Sequence, residues 1–95
     1  MFPKLSYSNL PLGCEFSPGD GDVKEDNLGV FENEEECISQ CVERKKTYPE
    51  INGVTVDSAS GKKCYCKYSL TKSKLNKESQ WKTCILDFEH FSKCA

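Results

Sequence analysis

Four of the cysteines in this chain stand in two pairs, Cys37-x3-Cys41 and Cys64-x-Cys66, and the pairs fall in segments of opposite character. The first lies in a stretch with helical periodicity, the second in a stretch that alternates like a strand. On a helix, residues i and i+4 share a face and stand about 6 Å apart along the axis. On a strand, residues i and i+2 share a face about 6.7 Å apart. The near-equality of the two repeats allows a helix lying along a strand to be stapled to it by two adjacent disulfides. With seven cysteines in 95 residues, the chain is expected to be a small secreted or extracellular module, formed in an oxidising compartment. A domain of this length buries a modest core, which the bridges supplement.

The helix has the clearest signals. Asn33 is its cap, Glu36 completes a capping-box pattern, and Glu34, Glu35 and Glu36 suit the positive end of the dipole as Arg44, Lys45 and Lys46 suit the negative end. Cys37, Ile38, Cys41 and Val42 form its apolar stripe. The pattern predicts a helix over about 34–46, ended by Pro49. Strands are predicted over Ile51–Val56, Lys62–Tyr68 and Trp81–Phe88, the first two joined by an Asp57–Gly61 hairpin loop. A further strand is expected to end near Cys14. Residues 17–27 read as an acidic loop, Leu70–Gln80 as a polar, basic and mobile one, and 89–95 as a tail. The chain is therefore expected to be one α+β domain over 1–95, with its core at about 12–88. No apolar stretch is long enough to cross a membrane, and none marks a signal peptide, so a mature domain carrying an added start methionine is expected. Asparagine-linked glycosylation is not expected, since no sequon is present.

Charge is segregated along the chain. Residues 15–36 carry nine acidic groups against Lys24, a net −8, and residues 44–82 carry ten basic groups against three acidic ones, a net +7. Two consequences compete: mutual neutralisation in the fold, or a basic face for an anionic partner such as a sulfated glycan.

In order and spacing, Phe31 to Leu86 resembles the PAN/apple domain. The residues that carry the likeness are Cys37-x3-Cys41, Asn52-Gly53-Val54-Thr55-Val56, Gly61-Lys62-Lys63-Cys64-Tyr65-Cys66 and Trp81-Lys82-Thr83-Cys84, together with Cys14. The resemblance implies one helix packed on a curved antiparallel sheet, with helix-to-strand bridges from Cys37 and Cys41 and a terminal bridge Cys14–Cys84. This chain has Ile51 where the family commonly has a cysteine, and Cys66, on one strand face with Cys64, is the expected substitute. Alternation allows either register. A strand antiparallel to the helix favours Cys37–Cys66 with Cys41–Cys64, which is the expectation taken here, whereas the family order argues for Cys37–Cys64. A weaker resemblance, from Leu12-Gly13-Cys14 through Cys64-Tyr65-Cys66, is to the glycan-binding WSC domain, although Lys67 stands where that pattern has glycine. After three bridges Cys94 is left over, as a free tail thiol or as the link of a disulfide dimer.

Ligand-binding candidates are basic residues interleaved with an aromatic. Lys63 and Lys67 flank Tyr65 on the outer face of the second hairpin strand, Lys62 lies beside them, and Arg44, Lys45 and Lys46 close the helix. Such a set can hold sulfate or carboxylate and stack on a sugar; equally, it can keep a sheet face solvated and its edges unpaired. Trp81 reads first as a core residue. Zinc ligands would come from the cysteine pairs and His90-x3-Cys94, but the usual Cys-x2-Cys spacing is absent and the strand pair suits a ladder better. The acidic loop fails as an EF-hand, with Lys24 and Glu25 at positions needing an oxygen ligand and a glycine. No metal, cofactor or catalytic residue is expected, and no nucleic acid or membrane-inserted partner. The expected role is non-catalytic recognition or adhesion, the partner being a glycan, sulfated or not, or an extracellular protein. The alternatives are a secreted effector that blocks a protease or receptor, and a structural module crosslinked through Cys94.

Overall fold

Local signals at residues 32–36 set the helix. Asn33 accepts a hydrogen bond from the Glu36 amide at 2.9 Å, and the Glu36 carboxylate accepts one from the Glu32 amide at 3.0 Å. The reciprocal bond of the capping box thus lands one residue before the cap. The computed structural model describes residues 14–86. In chain order they form β1 (Ser17–Pro18), β2 (Glu25–Val30), α1 (Glu34–Lys45), β3 (Ile51–Asp57), β4 (Lys63–Tyr68) and β5 (Trp81–Ile85), with a 3-10 turn at Lys72–Lys74. All the pairings are antiparallel, in one five-stranded sheet of order β1-β5-β3-β4-β2. The expected strand before Cys14, and the tail with Phe88, His90, Phe91 and Cys94, lie outside the described residues.

Helix α1 packs on β3 and β4. Cys37 and Cys41 meet Val54, Val56, Cys64, Cys66, Tyr68 and Cys84 in the core, with Ile51 and Leu86 at its end. Each of the buried aliphatic side chains contributes about 1.5–3 kcal/mol by leaving water. Three disulfides cross this layer: Cys14–Cys84, Cys37–Cys64 and Cys41–Cys66, with Cα separations of 5.1, 5.5 and 5.5 Å. The expected register Cys37–Cys66 with Cys41–Cys64 is therefore corrected. The cause is topological. The short 46–50 connection sends β3 back along the helix, the hairpin reverses the chain again, and β4 runs in the helix's own direction. Parallel elements pair first cysteine with first and second with second.

The other sheet face is covered without a helix. The 70–80 segment, expected to be a mobile loop, folds over this face. Asn52 grips the backbone of Leu70 from both sides, donating to its carbonyl at 2.9 Å and accepting from its amide at 2.7 Å. Ser69, with φ of 50°, turns the chain so that Leu70 lies over Gly53. A Cβ at Gly53 would meet the Leu70 side chain at 2.6 Å, which gives the Asn52-Gly53 dipeptide its structural reason. Asn76 then accepts from the Asp20 amide at 2.9 Å and donates its own amide to the Asp20 carbonyl at 2.9 Å, while Leu75 bridges to Gly21. Beneath this cover the Thr55 and Thr83 hydroxyls lie 2.6 Å apart, and Thr83 donates to the Gly19 carbonyl at 2.8 Å.

Strand β2 was not expected from a sequence as acidic as Glu25-Asp26-Asn27-Leu28-Gly29-Val30. Pairing with β4 recruits it, and a register shift between Asn27 and Gly29 bends it at the sheet edge, a device that discourages edge-to-edge pairing.

The β3–β4 hairpin closes on Asp57. Its carboxylate accepts from the amides of Ser60, Lys62 and Lys63 at 2.9, 3.0 and 3.1 Å and from the Ser60 hydroxyl at 2.8 Å. Burial disfavours the charge but is outweighed by these donors, and the carboxyl is held well below the usual range. A carboxyl whose folded pKa is depressed gives stability that is full above the unfolded value, about 3.9, and is lost as pH falls through the folded one. Urea midpoints are therefore expected to hold from neutrality to about pH 5 and fall below about pH 4. Asp57→Asn is expected to be about 1 kcal/mol less stable than the parent at neutral pH, with the gap narrowing toward about pH 2. A gap independent of pH would contradict this.

Candidate functional site

Folding scatters the basic candidates, because the sheet puts the hairpin loop at one end of β4 and the helix terminus at the other. Arg44, Lys45 and Lys46 lie at the Tyr68 end. Arg44 is engaged with Asp26, Nε to Oδ2 at 2.9 Å, and sits 5.0 Å from the centroid of the Tyr48 ring. Lys45 donates to the carbonyls of Pro49 and Ile51 at 2.5 and 2.8 Å, closing the turn into β3. Lys46 is exposed, 3.4 Å from Glu43. These three, which close the helix as expected, do not form one face with the β4 residues.

Lys67 is a second correction. Strand alternation does place it on the outer face with Lys63 and Tyr65, but its side chain is only 1% exposed. The β1–β2 connection folds over it. Its ammonium meets Asp20 Oδ1 at 2.8 Å, the Gly21 carbonyl at 3.0 Å and the Glu25 carboxylate. The acidic loop thus wraps an internal cation, and Lys67 is part of the scaffold. The same logic disposes of much of the charge segregation: Lys67 with Asp20 and Glu25, Arg44 with Asp26, and Lys82 with Glu34 at 2.5 Å all join the acidic block to the basic one.

The remaining candidates stay together. Lys63 and Tyr65 share the outer face of β4, and Lys62 and Lys63 are exposed beside the hairpin. Register puts Thr55 between Tyr65 and Thr83, and Asp57 opposite Trp81. One step beyond the Val56–Cys64 pair, Lys63 stands across from Asp57. Trp81, read from sequence as core, is instead half-buried on this face. It meets Tyr65 edge to face, with ring centroids 5.5 Å apart and planes at 86°. Lys67 lies beneath, its ammonium 5.9 Å from the Tyr65 centroid. Among the described residues Lys62 and Lys63 make no ion pair. The result is a shelf at the hairpin end of the outer face: two half-buried aromatic rings fixed at right angles, with the exposed Lys63 on the same strand face and the exposed Lys62 next to it in sequence. The Tyr65–Trp81 pairing required knowledge that β4 and β5 flank β3, which sequence spacing alone did not supply.

A second polar cluster joins β2 to the end of α1. Asp26 accepts from the Tyr68 hydroxyl and from Arg44, and these two, Tyr68 first, hold its carboxyl below the usual range. The same bond to Asp26 raises the Tyr68 phenol. Lys24 lies 4.5 Å from the Tyr68 centroid. Asp26, Arg44 and Tyr68 partner one another, so the cluster reads as a tie between elements.

The sulfurs of Cys37, Cys41 and Cys64 lie together at metal-ligand spacing. They do so because two disulfide rungs stack, and a disulfide sulfur is not the thiolate a metal requires. Among the described residues no helix is long and apolar enough to cross a membrane. Comparison of the chain with protein-family models, with curated proteins and with solved structures finds no match.

Proposed function

We propose that this chain is a secreted, non-catalytic recognition module that binds an anionic glycan, carrying sulfate or carboxylate, on the Tyr65–Trp81 shelf. The observation that carries the reading is the pairing of two half-buried aromatic rings with Lys63, which is exposed, shares the outer face of β4 with Tyr65 and makes no ion pair among the described residues. Rings present a flat apolar surface to a sugar, while ammonium groups at the border attract sulfate or carboxylate. A PAN/apple-like identity is consistent with one helix tied to a central strand by two bridges and with a third bridge between the ends of the fold. Extracellular placement rests on the disulfides.

The test is retention on immobilised heparin. Lys62→Glu/Lys63→Glu is expected to weaken binding about tenfold, roughly 1.4 kcal/mol, and to elute at lower salt. Lys46→Glu, at the far end of the sheet, is expected to elute with the parent. Equal retention of the double variant and the parent would remove the shelf as the site. Binding to an extracellular protein without glycan dependence would replace the glycan by a protein partner on the same aromatic pair.

A further inference from the structure

The two rungs between α1 and β4 are close enough to react with each other. The Sγ atoms of Cys37, Cys41 and Cys64 lie within 4.8 Å of one another, although Cys37 is bonded to Cys64 and Cys41 to Cys66. The cause is the matched repeat: one helical turn separates the helix cysteines and one strand step separates the strand cysteines. The rungs therefore stack, and a side-chain rotation brings Cys41 to bonding distance of Cys64. All four side chains are sealed from solvent, which holds these sulfurs at high mutual concentration.

We infer that the ladder is an exchange unit in which Cys41 and Cys64 are the reacting pair, either one attacking the other when it is the free thiol. Whenever the Cys41–Cys66 rung is open, the Cys41 thiolate attacks the Cys64 sulfur. The Cys41–Cys64 bond forms, the Cys37–Cys64 bond breaks, and the electron pair leaves on Cys37, which takes up the proton. No oxidant is consumed. Because the rung is buried, a small-molecule thiol reaches it only when α1 opens locally from β4: the thiolate then attacks the Cys66 sulfur, forms a mixed disulfide there, and leaves the electron pair on Cys41. Exposure to such a thiol then moves the surviving bridge by one rung, and a bridge formed in the wrong register during oxidation has a route to correct itself. This behaviour is independent of any ligand on the Tyr65–Trp81 shelf.

The test uses the full chain carrying Cys94→Ser, so that the thiol count is unambiguous. Cys66→Ser in this background leaves Cys41 as the free thiol. After incubation near pH 8, thiols are trapped with a maleimide at mildly acidic pH and the bridges mapped. The label is expected on both Cys41 and Cys37, with Cys37–Cys64 and Cys41–Cys64 peptides both recovered. The rate of appearance of labelled Cys37 is expected to rise about tenfold per pH unit while the thiol is mostly protonated. In Cys37→Ser, where Cys64 is the free thiol, Cys64 attacks Cys41, the Cys41–Cys64 bond forms, the Cys41–Cys66 bond breaks with the electron pair leaving on Cys66, and label is expected on both Cys64 and Cys66. Label confined to Cys41 in the first variant and to Cys64 in the second would overturn the inference. So would labelled Cys37 in a Cys41→Ser/Cys66→Ser control, since that bridge would then open without Cys41.

Discussion

Oxidised protein carrying Cys14→Ala and Cys84→Ala is expected to be about 4 kcal/mol less stable than the parent in urea, the largest effect of any single bridge. Cys14 and Cys84 are separated by 70 residues, against 27 and 25 for the two helix rungs. The cross-link closes nearly the whole described chain into one loop, and the entropy it removes from the unfolded state grows with the logarithm of loop length. It also holds the chain beside β5 where β1 contributes only two residues of pairing, Ser17 with Thr83 and Pro18 with Lys82. Without it that edge keeps only these two pairs and the hydrogen bonds of Gly19 and Asp20 to β5 and Asn76. A loss under about 1 kcal/mol would show that the unfolded chain is already compact across these positions.

Lys67→Met is expected to cost about 3 kcal/mol, although methionine fills a similar volume. The substitution leaves Asp20 and Glu25 facing each other and the Gly21 carbonyl without its donor. The two carboxylates are 30% and 41% exposed, so water relieves part of the repulsion and the effect stays at the lower end for a broken buried pair. Adding Asp20→Asn and Glu25→Gln to Lys67→Met is expected to recover about half the loss. Urea titration of the oxidised proteins reads both values. A neutral Lys67→Met would mean that the β1–β2 connection is not held by this cation.

The parts of the fold legible in sequence were those with local causes. Asn33 and Glu36 mark the helix start, Pro49 its end, and the alternation around Cys64, Tyr65 and Cys66 a strand whose two faces differ. The Cys37–Cys64 register was also within reach, since two short connections fix the direction of β4 relative to the helix. Strand β2 was not legible: Glu25 to Val30 has poor intrinsic strand preference, and only the partner strand, Lys67 and Arg44 make its acidic residues useful there. The cover over the outer face was hidden for a similar reason. Leu70 to Gln80 reads as polar and mobile, and it is Asn52, Gly53 and Asn76, distant in sequence from the segments they hold, that fix it. For the candidate site, alternation found Lys63 and Tyr65 together. It could not see that a loop covers Lys67 or that Trp81 stands beside Tyr65, because both depend on which strands are neighbours.

Peptide mapping of protein made in an oxidising compartment and alkylated without reduction is the most direct test of a disulfide-laddered recognition module. The fold predicts Cys14–Cys84, Cys37–Cys64 and Cys41–Cys66 as the bridges, with none of these six cysteines alkylated. Recovery of all six as alkylated thiols would contradict the ladder, the extracellular setting and the recognition function that rests on them.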